Sequence, residues 1–387
     1  MKKTLLATTA LVGAAVLAAP ANAGAVGSKD MMNVTVGGIF WFSAYMKDED
    51  NNTGNGRGYG FTVSETEVWI GASNTADNGI KYGVNIELAA GSADTTDADE
   101  AYAFLDSKSW GRIELGDNDD ATNRMHMGAW NATKGAGGPL GGLGDLNTVF
   151  NGVGGNGAAF IARSDYQTFT TADDTKATYF SPRFSGFQIG ASWTPDTGEV
   201  SGGPATADND NDGDFENTLS LAANYSGKFD NVGVGFSIHT QQGTDENATG
   251  AEIEDLDIWG VGGKVSVAGF TFGANYNNLG DTLLTAAQTA AGADAGSMWA
   301  FGAGYQAGPW GVSAWYLNGS QDNTNAAARE TEITRYGLGA GYAVAPGWAL
   351  RAELTFLNHE NIRTGAATGG TADNDGKGFL LVNRFVF

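Results

Sequence analysis

The sequence predicts an all-β chain, a transmembrane antiparallel β-barrel of about sixteen strands. Three observations carry this: an export-type leader, strand-period alternation along the rest of the chain, and a last segment that ends aromatic within a strand pattern. The final residues read GKGFLLVNRFVF, with Phe379, Leu381, Phe385 and Phe387 at every second position and Asn383 as the one polar interruption. Alternate side chains of a strand point to opposite faces, so this segment has one apolar face and one that carries Arg384. A barrel in the outer membrane of a Gram-negative cell would close by pairing such a strand with the first one, leaving no edge. Phe387 is therefore the expected closure residue.

Met1 to Ala23 has a charged start at Lys2 and Lys3, an apolar run from Leu5 to Ala19 and the small-residue ending Ala21-Asn22-Ala23. These are the parts of a cleaved secretory signal, which leaves one domain over 24–387. The rest of the chain holds no comparable apolar run, so it offers no transmembrane helix. With 59 Gly, 20 Phe, 12 Tyr, 10 Trp, 7 Pro and no Cys, the chain is rich in strand and turn formers and cannot rely on disulfides. Its formal charge of −23 would become −25 without Lys2 and Lys3, which argues against nucleic acid as a partner and for an acidic mouth.

The first strand is expected from about Asn33 to Met46, with Val34, Val36, Phe40 and Phe42 on one parity. Near Ile80 to Ala90, Ile80, Tyr82, Val84, Ile86 and Leu88 share one face, and Lys81, Asn85 and Glu87 the other. The pattern recurs at Leu219 to Tyr225, Val232 to Ile238 and Trp348 to Phe356, without a competing helical period. Short connections fall at Asn74 to Gly79, Ser107 to Gly111, Pro182 to Gly186, Gly227 to Asn231, Ala268 to Gly269, Ala307 to Pro309 and Ala345 to Gly347. Long connections alternate with them, as in membrane barrels with both termini on one side. A β-solenoid would show a fixed short period and a sandwich array would show compositional breaks; the chain shows neither. A barrel of this strand number is wide enough to hold water.

Three stretches carry a family resemblance. VWIGASNTADNGIKYGVNIE (Val68 to Glu87), AYAFLDSKSWGRIELG (Ala101 to Gly116) and YFSPRFSGFQIG (Tyr179 to Gly190) resemble, in this order, hairpins of the general bacterial porins. That resemblance implies a sixteen-stranded homotrimer through which ions and small hydrophilic solutes diffuse. It also implies contact with outer-membrane lipid and lipopolysaccharide, insertion by the barrel-assembly machinery through the last strand, and a third long loop folded into the pore. Here that loop would run from Asp117 to Thr175. The chain departs from the family at Gly116-Asp117-Asn118, where Gly-Arg-Gln is common, and has Gly137-Gly138-Pro139-Leu140-Gly141-Gly142 in place of the usual Pro-Glu-Phe-Gly-Gly bend.

For a cation-preferring channel the loop's acidic side would comprise Asp117, Asp119, Asp120 and Asp145. Lys81, Glu87, Arg112, Arg335, Arg351 and Arg384 fall on the polar parity and are expected on the pore wall. Opposed charges across water set a transverse field that orients dipolar solutes. No cofactor is required by this reading. Asp208, Asp210, Asp212 and Asp214, with Gly213 between the last two, resemble half of a Ca²⁺ loop, yet the twelfth position is Leu219 instead of Glu. The chain is not expected to be an enzyme: it has three His, no Cys and no nucleophile elbow, and Ser237 with His239 is the one pair on a shared strand face. Two other readings remain open at this level. One is a sugar-type selective channel with Trp41, Trp69 and Trp259 on its lumen wall, and the other is an adhesive barrel with a closed lumen.

Overall fold

Apolar residues at every second position force one face of each strand outward and the polar, glycine-rich parity inward. In a computed structural model this pattern resolves into sixteen strands: β1 (Asn33–Glu49), β2 (Tyr59–Thr75), β3 (Lys81–Ala89), β4 (Ala98–Ser107), β5 (Gly111–Asp117), β6 (Thr175–Phe180), β7 (Phe187–Asp196), β8 (Phe215–Phe229), β9 (Val232–Asp245), β10 (Leu256–Val267), β11 (Phe270–Asn278), β12 (Ser297–Ala307), β13 (Trp310–Asp322), β14 (Glu330–Ala345), β15 (Trp348–Arg363) and β16 (Thr371–Val386). The structure describes residues 31–50, 57–90, 98–140, 171, 173–197, 215–246, 253–322, 330–363 and 371–387. Met1 to Ala23, Asp145 and the Asp208 to Asp214 motif lie outside them.

Each strand pairs antiparallel with its sequence neighbours and the sheet closes, so no strand is left with an open edge. Closure runs from Ile39↔Val386 to Glu49↔Gly376 between β1 and β16. The Phe387 N–H donates to Gly38 O at 3.0 Å and Gly38 N–H to Phe387 O at 2.9 Å, which extends that seam beyond the last strand. The tight turns follow the expected positions. Between β10 and β11, Ala268 and Gly269 take φ of 49° and 87°, the double left-handed geometry that matches strand twist in a two-residue hairpin.

The outward face is exposed and apolar, with Phe40, Val84, Leu105, Leu115, Leu221, Phe272 and Leu338 among its members. Trp259 belongs to this face as well, beside Tyr276 with ring centroids 5.5 Å apart, which corrects its expected place on the lumen wall. Its parity is that of Asp257, while Ile258 and Gly260 point inward. Among the described residues no helix is long and apolar enough to cross a membrane.

Candidate functional site: the inward loop and the lumen wall

The connection between β5 and β6 enters the barrel, and its described part runs along the inner wall. Helix α1 (Ala121–Met125) touches β6 to β9, the 3₁₀ turn Ala129–Ala132 touches β10 to β12, and the turn Gly138–Leu140 reaches β13 and β14. Asp120 starts α1 as its N-cap, accepting from Thr122 N–H at 2.6 Å and Asn123 N–H at 3.0 Å. Its other oxygen accepts from Ser220 at 3.1 Å and from Gln241 and Thr171. With 2% of its surface exposed, Asp120 anchors the loop and does not line water, a correction to its expected role. Asp117 is a second correction: it shares the outward parity of Leu115 and takes a hydrogen bond from Thr175 at the strand end.

Alternate strands each supply one polar side chain to loop backbone. Ser192 (β7) accepts from Ala121 N–H at 2.9 Å, Ser237 (β9) from Met127 at 2.8 Å and Asn275 (β11) from Ala129 at 3.0 Å. Ser313 (β13) accepts from Lys134 N–H at 2.8 Å, and Glu353 (β15) from Gly138 at 3.0 Å and Gly137 at 3.3 Å. At a net contribution of about 0.5–1.5 kcal/mol each, five such anchors hold the loop by roughly 3–7 kcal/mol. Glu353 is buried and takes a further bond from the Trp315 indole.

Between these anchors the wall is glycine. A Cβ at Gly262, Gly273, Gly302 or Gly304 would fall on the carbonyl oxygen of Met127, Gly128, Ala129 or Ala132 respectively. At Gly341 it would lie 2.6 Å from Lys134 O, and at Gly339 it would lie 2.6 Å from Gly135 N. The loop backbone therefore sits in a trench that only glycine permits. Sequence reasoning passed over these residues, although Phe301-Gly302-Ala303-Gly304-Tyr305 and Gly337-Leu338-Gly339-Ala340-Gly341 place glycine on the inward parity of strand after strand.

The charges are segregated around the lumen. Glu67 (β2), Glu87 (β3) and Asp99 (β4) bring carboxylate oxygens within 4.8 Å of one another, and Glu100, Asp119 and Asp173 do the same. Glu87 lies on the inward parity of β3 beside Glu67 and Asp99, and the acidic side as a whole belongs to β2–β4 and the two ends of the loop. Lys134 on the loop and Arg351 and Arg384 on β15 and β16 carry positive charge on the neighbouring part of the wall, beyond β1, the Arg351 guanidinium donating to Gly135 O at 3.4 Å. Burial and then Glu100 and Asp173 hold the Asp119 carboxyl well above the usual range. Burial with Asp99 and Glu100 pushes Asp173 up to about 7. Burial, helped by Arg351, lowers Lys134.

The remaining wall residues differ in environment. Arg112 shares the inward face but is tied to Glu114 and, at 3.8 Å, to Asp106, and lies 4.1 Å from the Phe104 ring centroid near the short-turn end. Lys81, at the start of β3, lies 5.8 Å from the same ring centroid and is exposed. Arg335 has the inward parity yet is only 4% exposed, donating to His359 at 3.1 Å, so the expectation that it lines water is corrected by its packing. Arg384 stacks over Trp41 at 5.4 Å, and Trp69 donates to Glu67 at 2.7 Å. Ser237 and His239 are both buried against the inward loop, with Ser237 committed to Met127 N–H. His126 lies 6.3 Å from His239 between ring centroids and accepts from Trp130 at 2.7 Å; burial pulls it down to about 3, so it is neutral.

Known proteins share this architecture. The anion-selective porin from Comamonas acidovorans is similar at 17% identity, covering 92% of this chain and 100% of that one with a TM-score of 0.64. OmpT of Vibrio cholerae in its trimer form gives 14% identity, 92% and 100% coverage and a TM-score of 0.58. The outer-membrane channel DcaP of Acinetobacter baumannii gives 12%, 94% and 99% coverage and 0.57. No curated protein sequence matches the chain. The family model described as Gram-negative porin matches residues 7–361. The chain belongs to the Gram-negative porin family and is an outer-membrane β-barrel channel protein.

Proposed function

We propose that the protein is a general porin that lets ions and small hydrophilic solutes diffuse passively across the outer membrane, with a preference for cations. The observation that carries the preference is the carboxylate arc of Glu67, Glu87 and Glu100 on β2–β4, continued by Asp119 and Asp173. Facing water, such an arc raises the local cation concentration, and Arg384 and Arg351 flank it from β16 and β15, beyond β1, with positive charge. The formal charge of −23 acts in the same sense. The trimer form of Vibrio cholerae OmpT supports a homotrimer for this chain. Outer-leaflet lipid and lipopolysaccharide would cover the apolar outer face, and β16 with Phe387 would present the assembly signal.

Planar-bilayer conductance of purified protein under a salt gradient tests this reading. Stable open steps with a reversal potential of cation sign are expected. Open steps of anion sign refute the preference, and a folded barrel that stays silent favours the adhesive reading with a closed lumen. A sugar-type ladder is less well supported, because Trp259 is outside and Trp41 is buried.

A further inference from the structure

The inner wall is not uniformly wet. Ile258, Met298, Leu317, Ile333, Leu357 and Leu380 all lie on inward parities, yet each is at most 4% exposed and together they form one apolar cluster inside the barrel. The β11–β12 connection covers part of it from the long-connection end: Leu279, Leu284 and Ala295 join the same cluster. That cover is tied down by Glu254 N–H to Leu284 O at 2.6 Å and by Asp257 N–H to the Thr282 hydroxyl at 3.0 Å. Buried apolar surface of this kind is stabilised by staying out of water, so it does not open to a permeating solute at no cost. On β6–β9 the inward Thr194, Thr218 and Ser220 are likewise fully buried.

On the opposite arc the inward residues keep contact with solvent. Glu67, Trp69, Asn85, Glu87, Glu100 and Tyr102 on β2–β4 are all partly exposed, and Arg384 and Arg351 bound the arc from β16 and β15. We infer that solutes cross this barrel along one side only, over the β2–β4 wall, and that the wall from β6 round to β16 and β1 is packed core at and above the inward loop, with Leu380 and Val382 on β16 and Ile39 and Trp41 on β1 buried in the same cluster. This rests on the porin reading and adds to it which residues a solute meets. Selectivity is then set by Glu67, Glu87 and Glu100, whereas Arg335, although inward by parity, does not meet the solute. The occlusion also makes the passage narrower than a sixteen-strand circumference would allow.

The chain contains no cysteine, so single cysteines report accessibility without background. Asn85→Cys and Glu87→Cys test the open arc, Leu317→Cys and Ala300→Cys the packed side. Ala300 is fully buried, and its small change keeps the test valid if Leu317→Cys fails to fold. Each protein in liposomes is treated with a cationic methanethiosulfonate, and labelling is followed by intact mass; the same reagent is added to open channels in bilayers. Labelling at 85 and 87 at least tenfold faster than at 300 and 317, with a stepwise fall in current, is expected. Fast labelling at 300 or 317, or equal rates on both sides, overturns the inference. If the unmodified protein conducts nothing, the porin reading fails while the mass readout still decides the path.

Discussion

Gly339→Ala presses directly on the contact between loop and wall. The added Cβ would lie 2.6 Å from Gly135 N, 2.7 Å from Gly135 Cα and 2.7 Å from the Ser313 hydroxyl, where ordinary contacts begin at 3.4 Å. Two of these atoms are backbone, and Ser313 is committed to Lys134 N–H, so relief requires the 134–138 turn to move about 0.8 Å off the wall toward the pore axis. Overpacking of this kind costs about 1–3 kcal/mol. Set against roughly 3–7 kcal/mol of anchoring, this leaves the loop attached but raises the displaced population by about 5- to 150-fold. Single-channel recording should show a lower open current and more frequent brief closures than wild type, with a small loss of thermal stability. Gly233→Ala serves as control, because its nearest neighbour would be Ser266 Cβ at 3.7 Å. If Gly339→Ala matches wild type in current, noise and melting, the turn does not lie against β14 as described and the trench argument falls.

Other perturbations separate anchoring from selectivity. Glu353→Ala strands several donors, among them the N–H groups of Gly137 and Gly138 and the Trp315 indole, and should increase current noise strongly, whereas Glu353→Gln keeps one acceptor and should lie between; equal noise in all three proteins would contradict the role. Arg112→Ala should fold and shift the reversal potential modestly toward cations, since Glu114 retains Arg124 while Asp106 loses its partner; an unchanged potential removes Arg112 from the selective path. With Asp173 pushed up to about 7 by burial and its acidic neighbours, acidification from pH 8 to pH 6 neutralises that carboxylate. Cation preference should therefore weaken as pH falls, and a pH-independent reversal potential would count against the arc.

How much of this was legible in the sequence depends on what each feature rests on. Strand parity is local, so Phe379, Leu381 and Phe385 were assigned to the outer face and Arg384, Arg351 and Glu87 to the inner one from alternation alone. The tight turns were legible for the same reason, through Ala268-Gly269 and its relatives. Parity gives a direction, not an environment, and Arg335 shows the difference: inward-facing, yet packed against His359. Asp120 was read as a pore charge because its carboxylate is ionisable; only the tertiary fold shows Ser220 and Gln241 converging on it from 100 and 121 residues away. The glycine trench was visible as a pattern but had no meaning until the loop was seen lying in it.

The anchoring bears on how such a channel works. If full release of the loop costs roughly 3–7 kcal/mol, a detached loop is populated at about one part in 10² to 10⁵, since each 1.4 kcal/mol is a factor of ten. A solute arriving at the mouth therefore meets a fixed constriction and not a swinging gate. On the proposed porin reading, passage through a fixed constriction would be sorted by size, by the carboxylates of Glu67, Glu87 and Glu100 and by the guanidinium groups that flank them, none of which has to move. The device that narrows the pore and the device that selects charge are thus carried by different residues. The glycines, serines and Glu353 hold the loop at its height, while the β2–β4 carboxylates act across the gap it leaves. Variants of the first kind should alter current and noise at nearly constant selectivity, and variants of the second kind should do the reverse. Reversal potential and current noise measured on Glu353→Gln and Glu87→Gln side by side would expose any mixing of the two roles.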